Sequence, residues 1–367
     1  MGIYMKKRVL ILANNASGLY DFRNELLLRL LKEYEVHVSL PDEEDVPEIA
    51  EEGCIVHHTF LERRGMNPVK DSKLMLQYLK LMRQIKPDVV LTYTIKPNIY
   101  GSFCCRVLKT PYIVNITGLG SAFEKDGMLR KLVVFLYKTA LKKANCVFFQ
   151  NEKNKDIFAD FGIKGQKERL VPGSGVNLDR HVLEEFPDEN APVKLVFVGR
   201  IMKEKGIDEL LYGAEKIKQE FPEVIFQLIG SYEDDYKELI EEKEKAGIVQ
   251  FMGYQKIIHP YYKEATAAIM PSYHEGMSNV VLEAAATGRP VLASDIPGCR
   301  EGFEDGITGI GFSPRNKEAF YKAVKRFLNL SYEERKQMGQ NARKKIEKEF
   351  DRKIVVESYI EEIEKII

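Results

Sequence analysis

The 367-residue chain has only five cysteines, and no two of them form a Cys-x-x-Cys pair. No histidine stands at the spacing of a zinc site, so a structural zinc or a redox-active pair of thiols is not indicated. An odd, scattered set of cysteines is also unlike the disulfide framework of a secreted protein. These shortages favour a reducing compartment, and we expect a cytoplasmic protein that binds no metal.

Long apolar runs are missing as well. No stretch approaches the roughly 20 apolar residues that a membrane-spanning helix requires. The chain passes from Lys6, Lys7 and Arg8 directly into the apolar run Val9 to Leu12, which is too short for the core of an export signal. The sequence therefore predicts a protein that is neither exported nor inserted across a bilayer.

The chain has no net charge, because 55 Lys and Arg balance 55 Asp and Glu. The balance hides an asymmetry between the two halves. Residues 1–180 hold 28 basic and 21 acidic residues, a net +7, and residues 181–367 hold 27 and 34, a net −7. A basic first half favours an anionic partner, such as a lipid surface or a phosphate-bearing acceptor. A chance imbalance between two solvated surfaces is the alternative.

Short apolar runs alternate with helical patterns along the whole chain, which indicates βαβ units on parallel sheets. The length suits two domains of about 150 to 200 residues. A polar stretch with two prolines, residues 184–192, predicts a linker. We therefore predict an α/β protein of two Rossmann-like, doubly wound domains, residues 1–180 and 190–349, facing a cleft that holds the ligands.

Two cations follow the first predicted strand of the second domain. Residues 197–206 have the pattern of a strand, a turn and the start of a helix, with Arg200 and Lys205 after the carboxyl end of the strand. Two cations there can neutralise a diphosphate and stabilise it as a leaving group. Two exposed loop cations are the alternative for this motif taken alone.

A second constellation follows a later strand of the same domain. Glu275 and Glu283 are eight residues apart, slightly more than two helical turns, so both can face the same side of a helix. Free N–H groups from Gly276 to Asn279, at the helix start, predict an anion site. A carboxylate at Glu283 suits a ribose diol, and one at Glu275 suits sugar hydroxyls. A capped helix with acidic residues near its positive end is the alternative.

In combination these motifs resemble the retaining glycosyltransferases of family 4, which have the two-domain GT-B architecture. The likeness rests on Gly199-Arg200 followed by Lys205, on the two glutamates, and on the run Ala284 to Val291. It covers nearly the whole chain. It implies a metal-independent transferase without a cofactor, whose second domain binds the donor and whose closing helix, within residues 350–367, crosses back to the first domain.

The resemblance also implies roles for single residues. Arg200 and Lys205 are expected to hold the donor diphosphate and, with Glu275, to carry catalysis. Glu275 is expected to contact the transferred sugar, Glu283 the ribose, and Gly253 with Tyr254 the base. The predicted donor-binding residues are Gly18, Thr117, Gly199, Arg200, Lys205, Gly253, Tyr254, Glu275, Gly276, Met277, Ser278, Asn279 and Glu283.

The first domain narrows the resemblance to the subgroup that extends undecaprenyl-diphosphate-linked glycans. Three runs after predicted strands carry it, namely residues 14–23, 92–101 and 117–123, and we interpret the first two as loops. By analogy Gly18 approaches the donor phosphates, because only a residue without a side chain allows that closeness. The predicted acceptor-binding residues are Asn15, Ser17, Tyr20, Thr94, Lys96 and Gly118.

One position departs from the family pattern. Many members carry a histidine near the reacting sugar, and the matching residue here is Thr117. We therefore expect no general base at this position. A same-face mechanism is expected instead, in which the leaving diphosphate helps to deprotonate the acceptor.

The sequence thus predicts retaining transfer of N-acetylhexosamine or galactose from a UDP-sugar to an undecaprenyl-diphosphate-linked saccharide. We expect a cytoplasmic protein, peripherally associated with the cytoplasmic face of the membrane, with no nucleic-acid partner. The basic, amphipathic run 128–143 is a candidate for membrane contact, and packing on the sheet is its alternative. Two other functions stay open, a UDP-sugar 2-epimerase of the same fold and a non-enzymatic two-domain carbohydrate-binding protein.

Overall fold

The computed structural model describes residues 6–41, 46–62, 67–119, 123 and 127–367. The chain forms two compact units. The first comprises Met1–Ser174 and Lys353–Ile367, and the second comprises Gly175–Arg352.

Seven strands form the sheet of the first unit, and all of their pairings are parallel. They are β1 (Arg8–Leu12), β2 (Glu35–Leu40), β3 (Ile55–His58), β4 (Val89–Tyr93), β5 (Tyr112–Ile116), β6 (Cys146–Phe149) and β7 (Glu168–Leu170). Their order is β3-β2-β1-β4-β5-β6-β7, so the direction of winding reverses between β1 and β4. Ligands of doubly wound sheets bind outside the carboxyl ends of the strands at such a reversal.

Helices cover both faces of this sheet, and two core clusters of buried apolar side chains lie beneath them. The helices are α1 (Ala16–Leu31), α2 (Val46–Glu51), α3 (Pro68–Ile85), α4 (Ser102–Leu108), α5 (Met128–Leu141) and α6 (Glu152–Asp160). A π-helical segment, Pro97–Gly101, leads directly into α4.

Two runs that the sequence predicts as loops are largely helical. The side chain of Asn15 accepts a hydrogen bond from the N–H of Gly18, which lets α1 begin at Ala16, ahead of its apolar stripe. After β4, residues 95–96 are helical and the π-helical segment Pro97–Gly101 takes up the second half of the run. The loop interpretation of residues 14–23 and 92–101 is therefore wrong. Asn15 caps α1 early, whereas the segment Pro97–Gly101 forms without a side-chain cap at Lys96.

Six strands form the sheet of the second unit, again with every pairing parallel. They are β8 (Lys194–Val198), β9 (Ile225–Ile229), β10 (Gln250–Phe251), β11 (Ala267–Met270), β12 (Val291–Ser294) and β13 (Gly309–Phe312). Their order is β10-β9-β8-β11-β12-β13, and the reversal lies between β8 and β11. The helices are α7 (Ile207–Glu220), α8 (Lys237–Lys245), α9 (His259–Glu264), α10 (Asn279–Ala286), α11 (Lys317–Leu328) and α12 (Tyr332–Glu349). Two doubly wound parallel sheets confirm the predicted fold class.

The stretch 184–192, predicted as a linker, is hydrogen-bonded to the second unit at its first two residues. The guanidinium of Arg289, fully buried, donates to the carbonyl oxygens of Glu184 at 3.2 Å and Glu185 at 2.6 Å. The Glu184 carboxylate also pairs with Lys263 at 3.0 Å. The start of this stretch is therefore held to the second unit by hydrogen bonds, while residues 188–192 are exposed to solvent.

The last helix, α13 (Arg352–Glu364), belongs almost wholly to the first unit. Tyr359 and Ile363 are buried in the core cluster that contains the apolar residues of β1 and α1. Glu362 accepts hydrogen bonds from Lys167 at 2.7 Å and Arg169 at 2.9 Å. The expected return of the closing helix to the first domain is confirmed. In the described part of the chain, no helix is both long and apolar enough to span a membrane.

Candidate active site

The reversal point of the second sheet brings two predicted catalytic residues together. Lys205 follows β8 and Glu275 follows β11, and the two residues are 70 positions apart in the sequence. The Nζ atom of Lys205 lies 2.6 Å from Oε1 of Glu275. Their side chains are only 19% and 13% exposed, so this ion pair is largely shielded from water. A cation and a carboxylate thus meet where a doubly wound sheet binds its ligand.

Two glycines allow the backbone on either side of this pair to pack closely. Gly206 has a φ of +73°, and a Cβ there would lie 2.2 Å from the carbonyl oxygen of Pro271 at the end of β11. Gly298 has a φ of +89°, and a Cβ there would lie 2.6 Å from the carbonyl oxygen of Glu275. Side chains are therefore excluded at both positions. Gly206 fixes the turn that carries Lys205, and Gly298 fixes the loop that carries Glu275.

The other residues predicted around the diphosphate and base lie at neighbouring strand ends. Gly199 follows β8 directly, and its N–H donates to the carbonyl of Ile229, the last residue of β9, at 2.9 Å. Arg200 is half-exposed, with Nη1 3.4 Å from Oε1 of Glu233. Gly253 lies two residues after β10, and the side chain of Tyr254 beside it is 72% exposed.

The start of α10 differs in one respect from the predicted anion site. Ser278 is the N-cap, and its own N–H donates to the carbonyl of Gly298 at 2.7 Å. That N–H is therefore not offered to a ligand, which corrects the prediction for Ser278. The N–H groups of Asn279 and Val280, in the first turn, have no acceptor within the helix. Met277 packs its buried side chain into a core cluster, and Gly276 precedes it in the same loop.

Glu283 lies inside α10, with Glu275 in the loop before that helix. The hydroxyl of Tyr262, on α9, donates to Oε2 of Glu283 at 3.3 Å. On the other side, Nε2 of His181 lies 4.0 Å from Oε1. Tyr262 and His181 are both buried. The predicted ribose-binding carboxylate is thus flanked by two buried polar side chains.

In the first unit, several predicted binding residues have structural roles of their own. Asn15 caps α1 through its hydrogen bond with the N–H of Gly18. A Cβ on Gly18 would lie 3.0 Å from Oδ1 of Asn15, so the absence of a side chain also serves this cap. Ser17 and Tyr20 lie in the first turns of α1, both partly exposed.

Lys96, a predicted acceptor contact, forms a largely buried ion pair within the first unit. Its Nζ lies 2.8 Å from Oδ1 of Asp71, and the two side chains are 11% and 6% exposed. The hydroxyl of Tyr100 donates to Oδ2 of Asp71 at 3.0 Å. Thr94, just before, has a φ of +72°, which is strained for a β-branched residue. Across the described residues, no hydrogen-bond partner lies near its buried hydroxyl.

Thr117 and Gly118 follow β5 and are partly exposed. A Cβ on Gly118 would have no neighbour within 4 Å in the described structure, so packing does not require glycine there. Gly120, Ser121 and Ala122, from the same predicted run, lie outside the described residues.

Two family models account for most of the chain. The family described as glycosyl transferases group 1 matches residues 183–345, and the family described as glycosyl transferase 4-like matches residues 8–151. The chain belongs to these glycosyltransferases. Membership confirms the predicted family and enzyme class, and it argues against the non-enzymatic carbohydrate-binding alternative.

Curated relatives resemble the glycosyltransferase over much of its length. The N,N'-diacetylbacillosaminyl-diphospho-undecaprenol alpha-1,3-N-acetylgalactosaminyltransferase of Campylobacter jejuni is 24% identical, over 98% of this chain and 99% of its own. The UDP-Gal:alpha-D-GlcNAc-diphosphoundecaprenol alpha-1,3-galactosyltransferase of Escherichia coli is 26% identical, over 64% of this chain and 65% of its own.

Solved structures establish the architecture. Anabaena HepE, in complex with UDP and glucose, superposes with a TM-score of 0.81 at 16% identity, over 98% of this chain and 100% of its own. The lipopolysaccharide outer core galactosyltransferase WaaB superposes with a TM-score of 0.71 at 16% identity, over 98% and 100%. The glycosyltransferase has the GT-B fold, as the sequence predicts.

Sequence reasoning missed two features of the glycosyltransferase. Asp71 stands on the buried stripe of α3, in helical spacing with Leu74 and Tyr78, and an acidic residue on such a stripe was a signal for a buried partner. Tyr262 left no comparable signal, because α9 has only six residues and its contact with Glu283 joins two separate helices. Among the described residues, no group of three His, Cys, Asp or Glu side chains is arranged to hold a metal.

Proposed function

We propose that this glycosyltransferase moves N-acetylhexosamine or galactose from a UDP-sugar to an undecaprenyl-diphosphate-linked saccharide, with retention of configuration and without a metal or other cofactor. The observation that carries the proposal is the shielded pair of Lys205 and Glu275, at the reversal point of the second sheet. A cation for the diphosphate and a carboxylate for the sugar hydroxyls stand within hydrogen-bond distance of each other there.

The second unit is proposed to bind the donor. Arg200 and Lys205 take the diphosphate, Glu275 takes the sugar hydroxyls, and the first turn of α10 adds backbone N–H donors at its positive end. Gly253 and the exposed ring of Tyr254 contact the base. The choice of uridine is supported by a solved structure of similar fold, that of HepE in complex with UDP-glucose.

The first unit is proposed to bind the acceptor. The names of the Campylobacter and Escherichia relatives both specify acceptors linked to undecaprenol through a diphosphate. The basic balance of residues 1–180, a net +7, suits an anionic acceptor of this kind. Asn15, Ser17, Tyr20, Thr94, Lys96 and Gly118 are the candidate contacts.

The proposed reaction takes place on one face of the donor sugar. The acceptor hydroxyl oxygen forms a bond to the anomeric carbon on the face from which the diphosphate departs. The bond between that carbon and the diphosphate oxygen breaks, the electron pair stays on the diphosphate, and the hydroxyl proton passes to it. Arg200 and Lys205 stabilise the charge that develops on the leaving group. Thr117 takes no proton in this scheme.

Acceptor-dependent release of UDP tests the proposal. A panel of UDP-sugars is offered with undecaprenyl-diphosphate-linked saccharides, and Glu275→Ala serves as the inactive control. We expect turnover with one donor, its loss in the variant, and no loss on addition of a metal chelator. The anomeric configuration of the product, determined by NMR, tests retention. Turnover of a UDP-sugar without any acceptor, with epimerised sugar as product, would support the 2-epimerase alternative instead.

Peripheral binding to an anionic membrane is the second part of the proposal, and α5 is the candidate surface. Its inner face, including Val133 and Tyr137, is buried in a core cluster of the first unit. Four large apolar side chains of its outer face are between 44% and 85% exposed, namely Met128, Leu129, Leu132 and Phe135. Residues 128–143 contain five basic and no acidic residues. An apolar face among cations is the pattern of an interfacial helix.

Flotation with lipid vesicles tests this surface. The wild-type protein is expected to float with vesicles that contain phosphatidylglycerol, and much less with pure phosphatidylcholine. The double variant Leu132→Ser, Phe135→Ser is expected to stay at the bottom of the gradient. Ile307→Ser, which removes an exposed apolar residue of the second unit, is the matched control and should float like wild type. Failure of the wild-type protein to float with either kind of vesicle would contradict the membrane proposal.

A further inference from the structure

The carboxylate of Glu283 is bound by a tyrosine that no solvent reaches. Tyr262 is 0% exposed, and its hydroxyl donates to Oε2 of Glu283 at 3.3 Å. Glu283 itself is 19% exposed, so it keeps one side open while the tyrosine holds the other. A buried donor of this kind restricts the rotation of the carboxylate without covering it.

The backbone around Tyr262 is held in place by a buried cation. The guanidinium of Arg289, at 0% exposure, donates from Nε to the carbonyl of Tyr262 at 2.9 Å and from Nη2 to that of Lys263 at 2.7 Å. Hydrogen bonds from a charged donor to carbonyl oxygens are among the stronger ones in proteins. Arg289 therefore fixes the backbone at the end of α9, and with it the position of Tyr262, although α9 is only six residues long.

The protonation states of the two neighbours suit this arrangement. Burial and the Glu283 charge raise the pKa of Tyr262 well above its ordinary value, so the hydroxyl keeps its proton and donates. Burial, with the nearby charges of His259, Arg180 and Arg352, lowers the pKa of His181 to about 3. The imidazole near Oε1 is therefore neutral, and the Tyr262 hydroxyl donates a hydrogen bond to Glu283 at 3.3 Å.

We infer that Tyr262 is a positioning residue that orients the Glu283 carboxylate toward the ribose hydroxyls of the donor nucleotide. This inference rests on the proposed function, in which Glu283 binds the ribose. It adds that recognition of the ribose depends on a residue that never touches the nucleotide. An oriented carboxylate loses less freedom when the ligand binds, so removal of the hydroxyl weakens the contact with the diol.

Calorimetric titration with free nucleotides tests the inference, because UDP carries the ribose whichever sugar is transferred. Wild type, Tyr262→Phe and Tyr261→Phe are titrated with UDP, 2′-deoxy-UDP and 3′-deoxy-UDP. Tyr261→Phe removes a hydroxyl from the adjacent residue of α9 and is the matched control. We expect wild type and the control to prefer UDP over at least one deoxy nucleotide by about tenfold. We expect Tyr262→Phe to reduce this preference to about threefold, by weakening the binding of UDP alone.

A double-mutant cycle separates positioning from general destabilisation. If Tyr262 acts through Glu283, Tyr262→Phe has no further effect on UDP affinity once Glu283→Ala is present. Equal preference of the wild type for UDP and both deoxy nucleotides would overturn the ribose role of Glu283, and the inference with it. A wild-type preference that Tyr262→Phe retains in full would overturn the inference alone, with the proposed function intact. Melting temperatures of all variants establish that the folded protein is being titrated.

Discussion

Lys205 and Glu275 form a 2.6 Å ion pair across the carboxyl ends of β8 and β11, with both side chains mostly buried. Each residue satisfies the charge of the other. Shielding from water strengthens such a pair, but it also means that removing one partner leaves an uncompensated charge. The arrangement positions the ammonium group through the carboxylate, so the two motifs depend on each other for their geometry.

Glu275→Gln is expected to lower kcat by about 100-fold, because it removes both the proposed sugar contact and the charge that holds Lys205. Lys205→Met should have a similar effect, and the double variant should lose less than the product of the two. Steady-state kinetics of UDP release measures all three. Lys216→Met is the control, since it breaks an exposed ion pair with Glu318 in the same unit and should leave kcat unchanged. Independent, fully multiplicative losses would contradict the coupling.

Gly298→Ala is expected to reduce turnover at least tenfold by displacing the Glu275 loop, because the new Cβ would lie 2.6 Å from the Glu275 carbonyl oxygen. Gly247→Ala is the matched control. Gly247 also has a positive φ, +72°, but a Cβ there meets nothing within 4 Å in the described structure. The control should lose about 1 kcal/mol of stability and keep its kcat. Equal loss of turnover in the two variants would mean that backbone strain, and not the contact with Glu275, causes the loss.

The sequence predicts the sheets well because each strand is a local apolar run. The run Val89 to Leu91, for example, is entirely buried between two layers of helices and needs no partner to be recognised. The approach of Lys205 to Glu275 follows from topology, since strands on either side of a winding reversal end side by side. The position of Lys205 beside Glu275 was therefore predictable from strand order.

Two polar residues that follow strand ends in the first unit have structural roles that their position after a strand did not reveal. Asn15 is a polar residue just after a strand, as a ligand-binding residue often is, but its side chain caps α1. Lys96 has the position of an acceptor contact, but Asp71, 25 residues earlier, already neutralises it. In both cases a residue after a strand end satisfies a donor or a charge of the protein itself. Strand-end position therefore does not by itself distinguish a binding residue from a structural one.

His181 is expected to make stability depend on pH below neutrality. Burial, followed by the charges of His259, Arg180 and Arg352, lowers its pKa from 6.5 to about 3 in the folded protein. Between these values the unfolded chain binds a proton that the folded protein does not, so stability falls as the pH falls. The contribution is about 1.4 kcal/mol per pH unit below 6.5.

Chemical unfolding of wild type and His181→Gln at several pH values between 4 and 7 measures this contribution. The variant should show a shallower fall in the free energy of unfolding on acidification. His274→Gln, which removes an exposed histidine of the same unit, is the control and should follow the wild-type slope. Parallel curves for wild type and His181→Gln would mean that other groups carry the pH dependence.

Asp71 and Lys96 allow a structural role to be separated from acceptor binding. Asp71→Asn leaves the buried ammonium of Lys96 without a countercharge, and we expect a loss of about 3 kcal/mol in the free energy of unfolding. Lys96→Met should cost less, because the Asp71 carboxylate keeps its hydrogen bonds from the Tyr100 hydroxyl and the Asn67 N–H. Lys70→Met, in an exposed pair with Glu62, is the control and should be nearly neutral.

The kinetics of Lys96→Met then decide whether this lysine also contacts the acceptor. If it does, the KM for the lipid-linked saccharide should rise about tenfold while the KM for the UDP-sugar stays the same. A purely structural lysine would change neither KM in the folded fraction, since loss of folded protein lowers the apparent kcat alone. The lysine after β4 would then serve to pair with the Asp71 carboxylate. Acceptor binding would have to rest on other predicted contacts, such as the partly exposed Ser17, Tyr20 and Gly118.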